Sequence, residues 1–249
     1  MNNKSKVLLN LIIALIFLAV LVFGFFSVFS LKTVDAEFSV AYGREYSADI
    51  QKKLEGYKNK NLLFLKTEEI GGIFGDYPYL EVTELKKVYP STLRVAVKER
   101  QEIYKLTVGE DYYVIDDAGN VLAKNSSYGD KLIELGGVTV LRAAVGEKLG
   151  VEETELLSAV FEMSAVGLYT NNIEGIEIDY GLEKSDVVFR MRTGVNVTVT
   201  KALDDGIAKM EKAMQAYDAA DDYVKSTNDI LVVKTDEGEI KATWTSHNA

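Results

Sequence analysis

The amino-acid sequence predicts an α+β protein carried on a single N-terminal transmembrane helix. A small strand–helix–helix–strand–strand unit follows, and then a mostly antiparallel β domain with helices. Three observations predict this. Val7 to Phe29 is apolar, with Asn10 its only strongly polar member. Strict alternation recurs beyond it, in Leu93, Val95 and Val97 against Arg94, Ala96 and Lys98, and in Val195, Val197 and Val199 against Asn196, Thr198 and Thr200. Between such strands, apolar residues recur at helical spacing.

A bilayer core roughly 30 Å thick needs about 20 apolar residues at helical rise, and residues 7–29 supply them without a proline. Lys4 and Lys6 precede the run and Lys32 follows it, which predicts residues 1–6 as a cytoplasmic stub and the rest as extracytoplasmic. A cleaved signal peptide is the competing reading, with small residues at Val34-Asp35-Ala36. Its apolar region would span only about 7–15 residues, so the retained anchor is the better fit.

Residues 33–100 form the first predicted domain. Phe38 and Val40 alternate with Ser39 and Ala41 as a short strand. Ser47 is placed to cap a helix with Ile50, Leu54 and Tyr57 on one face. Thr67 is placed to cap a second, with Ile70, Ile73 and Phe74 facing inward and Gly71-Gly72 weakening it. Pro78 stops that helix. Leu80 to Tyr89 reads as a strand, with Leu85 out of phase after a bulge near Glu84. Pro90-Ser91-Thr92 turns the chain into the alternating strand at Leu93.

Residues 101–244 form the second predicted domain, and 245–249 a tail. Tyr112 to Asp116, the turn Asp117-Ala118-Gly119-Asn120, and Val121-Leu122 read as a hairpin. A helix is predicted over 151–168, a strand over 173–180, and a hairpin around Thr193-Gly194. A helix over 201–225 follows, with Ile207, Met210, Met214 and Tyr217 as its apolar stripe. Strands Ile230 to Thr235 and Ile240 to Trp244 flank an acidic turn, Asp236-Glu237-Gly238.

Composition narrows the function. The chain has 249 residues, no cysteine and one histidine, His247, which removes thiolate chemistry and Cys/His zinc sites. The first 32 residues hold three lysines and no acid, leaving 25 basic against 38 acidic residues beyond them, a net of −13. Such an exterior disfavours nucleic acid as a partner. No phosphate-binding, nucleophile-elbow or zinc-protease motif is present. Asp204-Asp205 and Asp221-Asp222 read as a solvated helix face, and His247 as solvated tail. The expectation is therefore no catalytic residue, no metal and no cofactor.

After an anchor come Asn61-Leu62-Leu63-Phe64-Leu65, then Tyr77-Pro78-Tyr79-Leu80-Glu81-Val82, then the run from Tyr89 to Arg100, a P-x-T-L turn leading into a strand that ends in Glu99-Arg100. In order and spacing these motifs, over residues 1–122, resemble the FtsQ/DivIB family of bacterial cell-division proteins. One departure is Glu102, where many members carry proline. The resemblance implies a POTRA domain over 33–100 and a β domain whose last strands offer an edge to small bitopic partners of the FtsL and FtsB/DivIC type. It implies a non-enzymatic divisome scaffold at the septum that helps regulate septal peptidoglycan synthesis. The candidate partner-binding residues are Ile230, Val232, Ile240 and Trp244. Alanine there, or proline in the final strand, is expected to weaken binding and spare the fold. Two other classes are a POTRA-type transport or secretion component, which would associate with a pore, and an anchored cell-wall hydrolase, which would need a cleft with a perturbed carboxylate.

Overall fold

A computed structural model describes residues 3–39, 46–125, 131–166, 172–179 and 185–247. The chain is α+β and divides into two compact units, Met1–Arg100 and Gln101–Ala249.

In the first unit, α1 (Asn3–Val28) contains Leu8–Val28, the one helix among the described residues long and apolar enough to cross a membrane. It buries none of this stretch against protein, as a helix surrounded by lipid requires. β1 (Thr33–Ser39) follows after four residues. It starts earlier than predicted because Val34, Ala36 and Phe38 already alternate with exposed Asp35 and Glu37; Val40 and Ala41 lie outside the described residues. α2 (Ser47–Glu55) buries Ile50 and Leu54. α3 (Thr67–Gly71) passes at the glycine pair into a 3-10 turn, Gly72–Asp76, which buries Phe74. The predicted serine and threonine caps do not form. Tyr46 and Lys66 occupy the cap positions without a side-chain cap bond, and Ser47 and Thr67 are the first helical residues.

β2 (Leu80–Val88) and β3 (Thr92–Glu99) form an antiparallel pair whose register shifts between Val82 and Glu84, at the predicted bulge. β1 joins β3 in parallel, so the sheet order is β1-β3-β2. Leu93, Val95 and Val97 point from the central strand into a core closed by Ile50, Leu54 and Ile70.

The second unit is built on one nine-stranded sheet. In chain order its elements are β4 (Tyr104–Val108), β5 (Asp111–Ile115), β6 (Val121–Asn125), β7 (Ile133–Gly136), a small pair β8 (Val140–Arg142) and β9 (Gly150–Val151), and α4 (Thr154–Ser164). Then come β10 (Ile173–Asp179), β11 (Asp186–Met191), β12 (Asn196–Val199), α5 (Gly206–Ala219), α6 (Asp222–Thr227), β13 (Asn228–Lys234) and β14 (Ile240–Ser246). The sheet order is β14-β13-β12-β11-β10-β7-β4-β5-β6. Five neighbouring pairs are antiparallel, and β4–β7, β7–β10 and β12–β13 are parallel.

Both predicted helices of this unit are shorter than their patterns suggested. Gly150–Val151 is a strand and not the start of α4; Leu168 lies outside the described residues. Lys201 and Asp205 take left-handed φ values of 46° and 56°, so residues 201–205 turn and α5 begins at Gly206. Asp221 ends the helical run and caps α6, its carboxylate accepting from Val224 N–H at 2.8 Å. Within α5, Met210, Met214 and Tyr217 are buried as the stripe predicts, while Ile207 is 44% exposed.

Candidate partner-binding edge

The end of the chain forms one edge of the large sheet. β13 lies parallel to β12, with Ile230 opposite Val197 and Val232 opposite Val199. A tight turn reverses the chain. Thr235 N–H donates to the Glu239 carbonyl at 2.9 Å, and Gly238 N–H to the Thr235 carbonyl at 2.8 Å. Gly238 sits at φ 84°, which a side chain would strain. β14 then runs antiparallel to β13, with Ile240 opposite Lys234, Ala242 opposite Val232 and Trp244 opposite Ile230. It extends through Ser246, and His247 N–H still donates to the Thr227 carbonyl at 3.1 Å.

This register fixes which main-chain groups point outward. In an antiparallel ladder, opposed residues alternate between pairs that exchange N–H···O bonds and pairs that do not. The bonds at Thr235–Glu239 and Thr227–His247 share one parity, so Lys241, Thr243 and Thr245 bond to β13. Ile240, Ala242 and Trp244 turn their N–H and C=O the other way. No described strand pairs with that side of β14.

The side chains of Ile240, Ala242 and Trp244 share the sheet face packed against the core, and all are half-buried. α5 covers that face of β12, β13 and β14. The structure thus separates the four candidate residues. Ile240 and Trp244 stand on the edge strand. Ile230 and Val232 are 1% and 0% exposed and lie in the core beneath α5. Ala242 was missed by side-chain reasoning, since what it presents is main chain. The signal was the alternation of Ile240, Ala242 and Trp244 with Lys241, Thr243 and Thr245.

Both ends of the edge are pinned by polar side chains. Lys234 Nζ lies 2.7 Å from an Asp205 carboxylate oxygen and 3.1 Å from one of Asp204. Its bond to Asp205 holds the ammonium above the usual lysine range and the Asp205 carboxyl below its own. Asp204 and Asp205 are therefore ion-paired, and not simply a solvated helix face. Lys209 on α5 is 1% exposed and donates to the carbonyls of Thr200 at 2.8 Å and Lys201 at 3.1 Å. Burial pushes its pKa down, while two main-chain carbonyls accept from two of its three donors. At the other end, His247 Nε2 lies 3.1 Å from the Asp229 carboxylate, which also accepts Asn196 N–H at 2.7 Å. The histidine read as solvated tail instead ties the strand end to Asp229.

Comparison with known proteins gives a consistent picture. Residues 44–100 match the family model for the POTRA domain, FtsQ-type. The cell division protein DivIB of Clostridium acetobutylicum is 28% identical over 124 residues, covering 49% of each chain. The cell division protein FtsQ of Rhizobium meliloti is 33% identical over 75 residues, covering 30% of this chain and 24% of that one. Residues 44–100 are thus an FtsQ-type POTRA domain, and the chain is similar to cell division proteins of the FtsQ/DivIB family. The matched stretch spans about half the length of the clostridial relative. The major extracytoplasmic domain of Geobacillus stearothermophilus DivIB aligns at 16% identity over 44% of this chain and 87% of that domain, with a TM-score of 0.28, too loose to bear on the fold. The POTRA match falls on α2, α3, β2 and β3 of the first unit, whereas the β14 edge lies in the second unit.

Proposed function

We propose that this protein is a membrane-anchored, non-enzymatic scaffold of bacterial cell division. It binds bitopic partners of the FtsL and FtsB/DivIC type and so helps regulate septal peptidoglycan synthesis. Its relatives are named cell division proteins, which supports the division role. One observation carries the binding mode: the last strand is a sheet edge whose outward main-chain groups belong to Ile240, Ala242 and Trp244. An extended partner segment satisfies such groups by adding a strand, and alternate side chains supply the specificity. The anchor confines the scaffold to the same membrane as its partners, which raises their effective concentration.

The test has two arms. A fluorescent fusion to the N-terminus should form a band at midcell in dividing cells. The purified chain should bind the FtsB/DivIC-type protein of its own genome, and Ala242→Pro should weaken that binding. Uniform membrane signal through the cell cycle sinks the division role. Unchanged affinity of Ala242→Pro sinks the edge as the site.

A further inference from the structure

The junction between α1 and the first domain has almost no slack. Four residues separate the end of α1 from β1, and hydrogen bonds occupy them. Leu31 N–H donates to the Lys60 carbonyl at 2.8 Å, Leu62 N–H to the Phe29 carbonyl at 2.7 Å, and Lys32 N–H to the Ser91 carbonyl at 2.8 Å. Leu31 is fully buried in the domain core. Asn61 closes the helix end, its Nδ2 lying 3.4 Å from the Phe26 carbonyl while its Oδ1 accepts Leu63 N–H at 2.9 Å. The domain is therefore fused to the helix.

That fusion sets depth in a membrane. At helical rise the 21 residues Leu8–Val28 extend about 31 Å, the full thickness of a hydrocarbon core. Phe26 lies inside this span, and the Phe64 ring stacks on it with centroids 5.8 Å apart and planes at 19°. Phe64 belongs to the domain, yet it sits at the depth of a residue of the membrane helix. It is 68% exposed to everything protein offers it. Tyr89, 53% exposed, meets Phe29 edge-on at 6.1 Å.

The segments that meet the end of α1 are basic in an acidic protein. Residues 29–32, 59–66 and 86–92 contain Lys32, Lys60, Lys66, Lys86 and Lys87 and no acid, against a net charge of −10 for the chain. Only Lys60 has a described carboxylate partner, Glu69 at 3.3 Å. Aromatic rings with a lysine fringe are what the boundary between acyl chains and phosphates accommodates.

We propose that this face of the POTRA-type domain is a lipid-binding surface, seated in the interface of the bilayer that α1 crosses. Phe64 and Tyr89 enter the acyl–headgroup boundary, and the lysines meet lipid phosphates. The inference rests on α1 as a membrane span and is independent of the partner edge.

The test uses the full chain in vesicles of phosphatidylcholine and phosphatidylglycerol, with brominated or ordinary acyl chains. Trp244→Phe removes the only tryptophan, and single tryptophans are then placed by Phe64→Trp, Tyr89→Trp, Phe17→Trp or Glu37→Trp. Glu37 is exposed near the far end of β1. The expected result is loss of fluorescence to brominated lipid at positions 64, 89 and 17, with none at 37. Quenching at 17 without quenching at 64 and 89 overturns the lipid seat and leaves α1 as a span. No quenching at 17 removes the span and the seat together. Quenching at 37 equal to that at 64 overturns the assignment to this face.

Discussion

Ala242 and Thr243 are neighbours on β14, yet proline at each should have opposite consequences. Thr243 N–H points to the Leu231 carbonyl on β13. Thr243→Pro removes that bond, worth about 0.5–1.5 kcal/mol net, and leaves the carbonyl without a donor at a further cost of about 1–3 kcal/mol. A loss of about 2–4 kcal/mol follows, a large share of the ~5–15 kcal/mol that holds a typical protein together. Ala242 N–H points away from β13, so Ala242→Pro breaks no described bond. It restricts φ on an edge strand, where proline is tolerated, at a cost of about 1 kcal/mol or less. In the proposed complex, however, the same proline removes a main-chain donor and thrusts its ring at the incoming strand. One lost bond of about 1.4 kcal/mol already weakens affinity tenfold. Trp244, the only tryptophan and itself on β14, reports unfolding in urea by its fluorescence. Partner affinity is measured by anisotropy of a labelled FtsB/DivIC-type segment. Equal destabilisation by the two prolines would refute the assigned parity. A stable Ala242→Pro variant with unchanged affinity would refute the edge as the docking site.

Other substitutions separate the fold from the site. Ile230→Ala, deep beneath α5, should cost about 2–5 kcal/mol in urea unfolding, with affinity falling only as far as the folded fraction falls. Trp244→Ala should instead lower affinity at concentrations of urea where the protein remains folded. Asp116 is buried and accepts from the N–H groups of Ala118 at 3.0 Å and Asn120 at 2.7 Å; Asp116→Ala should lower stability by about 2–3 kcal/mol in the same assay. Burial pushes the Tyr104 hydroxyl up to about 12. Folding stability should be insensitive to this group below pH 10 and fall as pH rises from 10 towards 12, because the unfolded chain releases the proton first. The loss is about 2–3 kcal/mol, and Tyr104→Phe should remove that part of the slope.

What was legible in the sequence were features that are local and periodic. The strand at Leu93 and the bulge near Glu84 needed no tertiary information, because inward and outward residues differ in polarity at every step. Helix ends were less legible. A helical pattern from Lys201 onward does not reveal that Lys201 and Asp205 are left-handed, since the loop is shaped by Lys209 reaching back to the Thr200 and Lys201 carbonyls. β4 was missed because Tyr104 and Leu106 alone are too short a pattern, and its place between β7 and β5 is a long-range fact. At the candidate site, side-chain character placed Ile230 and Ile240 in one class. Only strand order shows that the first is interior to the sheet and the second is on its rim.

In the proposed complex, the rim also dictates what a partner strand must look like. An added strand bonding to Ile240, Ala242 and Trp244 continues the pleat, so its alternate residues fall on the core face beside those three and must be apolar. The intervening residues fall beside Lys241, Thr243 and Thr245 and must be polar, with an acid favoured next to Lys241. A partner shifted by one residue would put its apolar set in water, so register is specified as strongly as identity. A second copy of this chain is disfavoured, because two chains of net charge −10 repel at long range. Reversing the alternation of a bound segment, with its composition unchanged, should therefore abolish binding. A scrambled segment that binds as well as the native one would show that recognition lies elsewhere.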